Sequence, residues 1–190
     1  MNSNKIVVYI LIFVFVFACK KDYTPKPEAY FRISFPEKVY NKIEIPNLFS
    51  FEMAQYAQIS KDSGPLSEPN WFNISMPENK ASLHLSYKNV NGNLEKLSEE
   101  SRDLVYKHTI KASAINEHII IDPEKKVYGT LFEIRGNAAS PLQFHLTDSA
   151  NHFLRGSLYI REVPNYDSLK PVIDFMTADV YRFIETLNWE

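Results

Sequence analysis

The chain has 190 residues, 45% hydrophobic and 14% aromatic, with 21 Lys plus Arg against 23 Asp plus Glu and a formal net charge of −2. So much apolar material at so low a charge excludes disorder over the full length and is enough for the core of one domain. A near-neutral chain lacks the positive excess that holds phosphates, which argues against a nucleic-acid binder, and a single cysteine excludes an intramolecular disulfide and a thiolate metal cluster.

The first element is a charge followed by an apolar run. Lys5 precedes Ile6 to Ala18, thirteen residues without a formal charge. A helix of that length covers about 20 Å, short of the roughly 30 Å of hydrocarbon in a bilayer. The order of charge and apolar run is that of a secretion signal. The run ends Val16-Phe17-Ala18-Cys19, which resembles the lipobox of bacterial lipoproteins, with Phe17 bulkier than the common residue. The resemblance implies a diacylglycerol on the Cys19 sulfur, cleavage before it, and acylation (palmitate among the chains) of the new amine. Several acyl chains anchor stably where one would not. Lys20 stands where an aspartate would mark inner-membrane retention, so the resemblance leans to the outer membrane. The domain plan is a signal peptide over 1–18, an acylated N-terminus and tether over 19–29, and a single globular domain over 30–190.

In the body, YFRIS at 30–34 alternates and predicts a strand. The stretch between Pro36 and Pro46 has no clear pattern. Phe49 to Ile59 predicts one or two short strands, and 60–70, with Gly64, Pro65 and Pro69, a surface loop. Trp71 to Ser75 follows as a strand. ASLHLSYK is stronger, with Ala81, Leu83, Leu85 and Tyr87 on one face and Ser82, His84 and Ser86 on the other. Asn93 is placed to cap a helix running to about His108, apolar at Leu94, Leu97, Leu104 and Val105. Four strands are predicted next, at 115–121, 127–135, 142–147 and 152–160. Their short links favour antiparallel neighbours. The last element is a long helix from about Ser168 to Asn188, capped by Asp167 or Ser168. Val172, Met176, Val180, Phe183, Ile184 and Leu187 share a core-facing band, with Phe175 and Trp189 set to touch a sheet edge. The sum is an α+β domain: an antiparallel sheet flanked by a middle helix and a long C-terminal helix. That order of elements resembles the PsbP and Mog1 class of folds.

Chemistry-bearing residues are sparse. His145, Asp148 and His152 could converge around the DSAN turn as a one-sided metal site, or stand there as ordinary polar groups; no HExxH pair is present. Ser149 or Ser157 with His152 and Asp148 offers a hydrolase reading with a site at 145–157, but without a G-x-S-x-G elbow. No acid is isolated in an apolar setting as glycoside cleavage needs. Gly156, inside HFLRGSLYI, marks a bulge or a close backbone approach. The turns between 135 and 167 are dense in short polar groups. Local capping explains Arg135, Asn137, Asp148, His152, Arg155 and Asn165 one by one; a partner-binding surface at the strand ends explains them jointly. A lipid- or glycan-binding module would require a concave apolar pocket. No cofactor and no metal is implied.

Several long strings point to one family: PKPEAYFRISFPEKVY at 25–40, LHLSYK at 83–88, LVYKHTIKA at 104–112, VYGTLFEIRGNAAS at 127–140, QFHLTDSANHFLRGSLYI at 143–160, PNYDSLKPVIDF at 164–175 and ETLNW at 185–189. Together they resemble GldD, the gliding-motility lipoprotein family of Bacteroidota. The resemblance implies a non-enzymatic envelope lipoprotein, with the membrane and other gliding or type IX secretion proteins as partners and no nucleic acid. It carries over no catalytic residue. Relatives often hold a cysteine pair where Asn47 and Asn70 stand here, so this member would hold 47–70 by packing or by a partner. Asp148-Ser149-Ala150 and Asp167-Ser168-Leu169 resemble the O-glycosylation tripeptide of exported Bacteroidota proteins, which makes Ser149 and Ser168 candidate acceptors.

Overall fold

Side-chain alternation decides the layers. In β5 (Ala81–Asn89), Leu83, Leu85 and Tyr87 are buried on one side while His84 on the other is exposed. The same alternation recurs along the strands beside it, so each contributes to a common apolar face. A computed structural model describes residues 33–190. Its elements are β1 (Tyr40–Ile45), β2 (Phe49–Ala54), β3 (Gln58–Lys61), β4 (Trp71–Met76), β5, α1 (Leu94–Tyr106), β6 (Ala112–Asp122), β7 (Val127–Gly136), β8 (Leu142–Thr147), β9 (His152–Ile160), α2 (Tyr166–Thr186) and β10 (Asn188–Trp189).

Seven strands form one sheet in the order β3-β4-β5-β9-β8-β7-β6, every neighbouring pair antiparallel. β1, β2 and β10 form a second sheet, with β2 in the middle. The main core lies between the large sheet, α2 and the small sheet. It contains Phe49 and Phe51 of β2, Leu83 and Leu85 of β5, Phe144 of β8, Leu154 and Leu158 of β9, and Met176, Val180 and Phe183 of α2. The Phe183 ring packs on Phe51 at 4.5 Å and on Phe144 at 5.7 Å. A smaller cluster fills the opposite face of the large sheet, where Val105 of α1 meets Phe132 and Ile134 of β7. The architecture is the expected α+β sheet between a middle and a C-terminal helix.

Several local expectations are corrected. Ile33 and Ser34 are not in a strand, and Tyr30 to Arg32, like Cys19 and the apolar run before it, lie outside the described residues. The first strand is β1, inside the stretch between Pro36 and Pro46. Its pattern is masked because it is an edge strand, with Asn41 and Lys42 both exposed. Asn93 occupies the N-cap position of α1 without bonding to the helix; its Oδ1 accepts from the Asn91 N–H at 2.9 Å. Asn165, not Asp167 or Ser168, caps α2, accepting from the Ser168 N–H at 3.3 Å. α2 stops at Thr186. Leu187 turns extended, so that Trp189 pairs with Phe49 in β10. Asn47 and Asn70 both adopt positive φ, 61° and 66°, and the chain between them is held by Phe49, Phe51 and Ala57 in the core.

The segment before β1 is latched to α2. Phe35 stacks on Phe175 at 4.3 Å. The Lys38 ammonium donates to Asp179 Oδ1 at 2.5 Å and to the Phe175 carbonyl at 2.8 Å, and it lies 3.7 Å from the centre of the Phe175 ring. Asp179 also accepts from the Tyr40 and Tyr56 hydroxyls. Burial first, then these bonds, hold both phenols well above the usual tyrosine range.

Candidate functional site

The six residues singled out along 135–165 go to three places. Asn137 and Asn165 serve the start of α2: Asn137 Oδ1 accepts from the Tyr166 N–H at 3.1 Å, and Asn165 is the cap. Arg135 is exposed beside them at the end of β7. Asp148 and His152 lie at the other end of β8, about 17 Å away for six strand residues. Asp148 Oδ1 accepts the N–H groups of Ala150, Asn151 and His152. Burial acts to raise this carboxyl, but the three backbone bonds outweigh it and leave it below its ordinary value. The His152 ring bonds to the Tyr87 hydroxyl at 2.7 Å and stacks on Trp189 at 5.1 Å, on the main-core side.

His145 therefore does not meet His152. Alternation in β8 and β9 puts His145 with Gln143 and Arg155 on the α1 side of the sheet. Among the described residues no group of three His, Cys, Asp or Glu side chains is placed to hold a metal. The proposed nucleophiles are not brought to His152 or Asp148 as a triad either; Ser157 lies on the opposite face of the sheet, across from His84. Ser149 is at the exposed turn tip with φ 70°, and buried Ser157 donates to Gln143 Oε1 at 3.4 Å. Gly156 is a close approach and not a bulge, since β9 keeps its register with both neighbours. A Cβ there would lie 2.2 Å from Phe144 Cζ.

Arg155 sits in a concavity on the α1 side of the sheet, and Arg135 lines a separate one of about 270 Å³ beside Tyr166, Lys170 and Asp174. Strand pairing places Trp71, Ser86, Arg155 and His145 in one row across β4, β5, β9 and β8. The adjacent row on the same face is Asn73, His84, Ser157 and Gln143. Ser86 is small and stands between Trp71 and Arg155, so the floor between the two large side chains stays open. A cavity of about 390 Å³ results, lined by Asp62, Trp71, Asn73, His84, Ser86, Arg155, Ser157 and Tyr159. A second, of about 210 Å³, shares Trp71, Ser86 and Arg155 and runs under α1 along Leu97, Leu104 and Phe153.

The electrostatics centre on Arg155. Its Nη2 donates to Gln143 Oε1 at 2.6 Å, and no carboxylate of the described residues lies within ion-pair distance. Burial pulls the guanidinium below its ordinary value, against a smaller opposing effect of Tyr159. His145 is pushed down to about 4, first by burial and then by Arg155 and Arg102, with Glu117 opposing. Burial also lowers His84, with Asp62 opposing and Arg161 adding. Asp62 is lowered, chiefly by the bond it accepts from Asn73 Nδ2 at 3.0 Å. Sequence reasoning named Arg155 but missed Trp71, Ser86 and Gln143. Their signal was the alternation of residues between the two faces of each strand; which of them become neighbours depends on β5 pairing with β9, which sets Ser86 beside Arg155, 69 residues further on.

Comparison with known proteins follows the same lines. A family profile described as gliding motility lipoprotein GldD matches residues 20–189. No curated protein matches the sequence. Among solved structures, the chain is similar to the solution structure of cyanobacterial PsbP (CyanoP) from Synechocystis sp. PCC 6803. The TM-score is 0.50 at 8% identity, over 84% of this chain and 98% of that one. At that identity the likeness concerns the fold, which is PsbP-like.

Proposed function

The chain belongs to the gliding motility lipoprotein GldD family, and from that premise we propose that its folded body is a non-enzymatic accessory of the envelope machinery for gliding and type IX secretion. As a family member it is a membrane-associated lipoprotein of gliding motility. The finer reading is that acyl chains on Cys19, the single cysteine, hold the body at the outer membrane while its α1 face engages another envelope protein. The observation that carries the role is the family match over 20–189. Support for a protein partner comes from edge strand β6, where Ile119 and Ile121 are 78% and 69% exposed on the same sheet face as Arg155. Exposed apolar side chains on an unpaired edge favour association.

In-cell crosslinking from positions 119, 121 and 155 of the full chain tests the contact. Capture of a gliding or secretion component is expected; gliding cells in which no position captures one would overturn it. Cys19→Ser is expected to leave the body folded but unlipidated, in the soluble fraction, with gliding lost. Full gliding by that variant would remove the anchor from the mechanism. Ser149 and Ser168 are both exposed, and we read them as glycan acceptors. An intact mass equal to the lipidated polypeptide alone would refute that assignment.

A further inference from the structure

We propose that the paired cavity at Arg155 is a binding site for a carboxylate carried next to a short apolar group. The inference goes beyond the accessory role and does not depend on which envelope protein the body engages.

Four buried side-chain polar atoms among the described residues have no hydrogen-bond partner: Trp71 Nε1, Gln143 Nε2, His145 Nδ1 and Arg155 Nε. All four belong to two adjacent rows on one face of the sheet; Trp71 and Arg155 line both cavities, and Gln143 and His145 stand beyond Arg155 on β8. Leaving such groups unpaired is costly, and a buried guanidinium without a counter-charge is costlier still. The Trp71 and Arg155 nitrogens share one opening, where a single ligand can pair both. The indole and guanidinium nitrogens are both donors. A group that only accepts, and that carries negative charge to match Arg155, satisfies them together.

Two features narrow the anion. The guanidinium fork is matched by the flat pair of oxygens of a carboxylate. Asp62 lines the same cavity, and its charge counts against a dianionic phosphate while leaving room for one negative charge on Arg155. The neighbouring cavity supplies the rest of the recognition. Leu97, Leu104 and Phe153 line it together with Glu68, Lys88, Glu100 and Ser101; the two glutamate carboxylates are paired with Lys88 and Lys96, so a short aliphatic group attached to the bound carboxylate passes along the apolar side chains under α1. The combined space is that of a small-molecule site. A free branched-chain acid and the C-terminus of a polypeptide ending in an aliphatic residue share this chemistry.

The test uses the full lipidated chain in detergent micelles with isotopically labelled tryptophan. The two tryptophans give two indole N–H resonances. Trp189 Nε1 already donates to the Lys126 carbonyl at 3.0 Å; Trp71 Nε1 is the reporter, identified by Trp71→Phe. The probes are isocaproate and N-acetylglycylleucine, each beside its amide. Both acids are expected to move the Trp71 resonance to saturation and leave that of Trp189 in place, with the amides weaker by about tenfold or more, the worth of a charged hydrogen bond. Tighter binding of the dipeptide would identify a chain terminus as the natural source, and equal binding a free acid. Arg155→Gln is expected to lose the acid's advantage. If that variant fails to fold, the contrast of acid with amide on the unaltered protein still decides. An unmoved Trp71 resonance, or acid and amide binding alike, would overturn the proposal.

Discussion

Phe144 shows how narrowly single residues are constrained. Its ring lies over Gly156 on one side and against Phe183 on the other, so it cannot retreat from an added methyl. Gly156→Ala is expected to cost about 3 kcal/mol, the upper part of the range for overpacking a core, measured by denaturant unfolding at unchanged slope. On the other face of the same strand pair, His145 is stacked on Phe153 at 5.7 Å and held neutral. Its folded pKa, about 4, lies below the unfolded value of 6.5. Between these pH values the unfolded chain binds a proton that the folded one does not. Stability is therefore complete above about pH 6.5, falls as the pH drops, and has lost this contribution below about pH 4. The shift corresponds to at most about 3 kcal/mol. His145→Phe should flatten that acid limb, and unfolding curves at pH 7 and pH 5 would show it; an unchanged slope with pH would exclude His145 as its source.

Elements are set by their ends as much as by their patterns. The two helices carry an Asn at the N-cap position, and only Asn165 bonds to its helix. Asn165→Ala is expected to cost about 1 kcal/mol, while Asn93→Ala should stay within about 0.5 kcal/mol. Equal losses in thermal melts of the two variants would contradict the assignment. The apolar band of α2 was legible because it repeats at helical spacing, and Met176, Val180, Phe183 and Ile184 are indeed buried. Its end was not. Leu187 lies on the same band, and the period continues past Thr186. The helix stops because β2 offers Ser50 and Phe49 as strand partners to Asn188 and Trp189. Propensity yields there to a tertiary contact that no local window contains. β1 is the converse case: a strand without a readable alternation, formed because β2 presents an open edge along its full length.

For the whole molecule, the latch at Lys38 decides where the folded body begins. Asp179 gathers an ammonium and two phenols from the segment before β1, from β1 itself and from the loop after β2, and its side chain is 12% exposed. Asp179→Ala leaves those donors facing a partly buried site without an acceptor and is expected to cost about 2–3 kcal/mol. It should also expose the chain near Pro36 to limited proteolysis before the body unfolds; cleavage no faster than in the unaltered protein would show that the latch does not hold that segment. The latch lies on the α2 side of the large sheet, and the Arg155 cavity opens on the α1 side.

The sequence by itself determined the class of fold, because that is written locally, and it pointed to the family through the long strings that resemble it. Strand alternation, helical spacing, short hairpin links and a cysteine behind an apolar run need no knowledge of distant neighbours. Which face each strand residue takes followed from the same alternation: His84 and Ser86 were already set opposite Leu83 and Leu85. Only the tertiary structure decided that Trp71, Ser86, Arg155 and His145 stand in one row. A period of two fixes the side of a sheet but not the neighbour across it, and β5 pairs with β9 only after α1 and three strands have intervened. The unpaired donors became a site through that pairing.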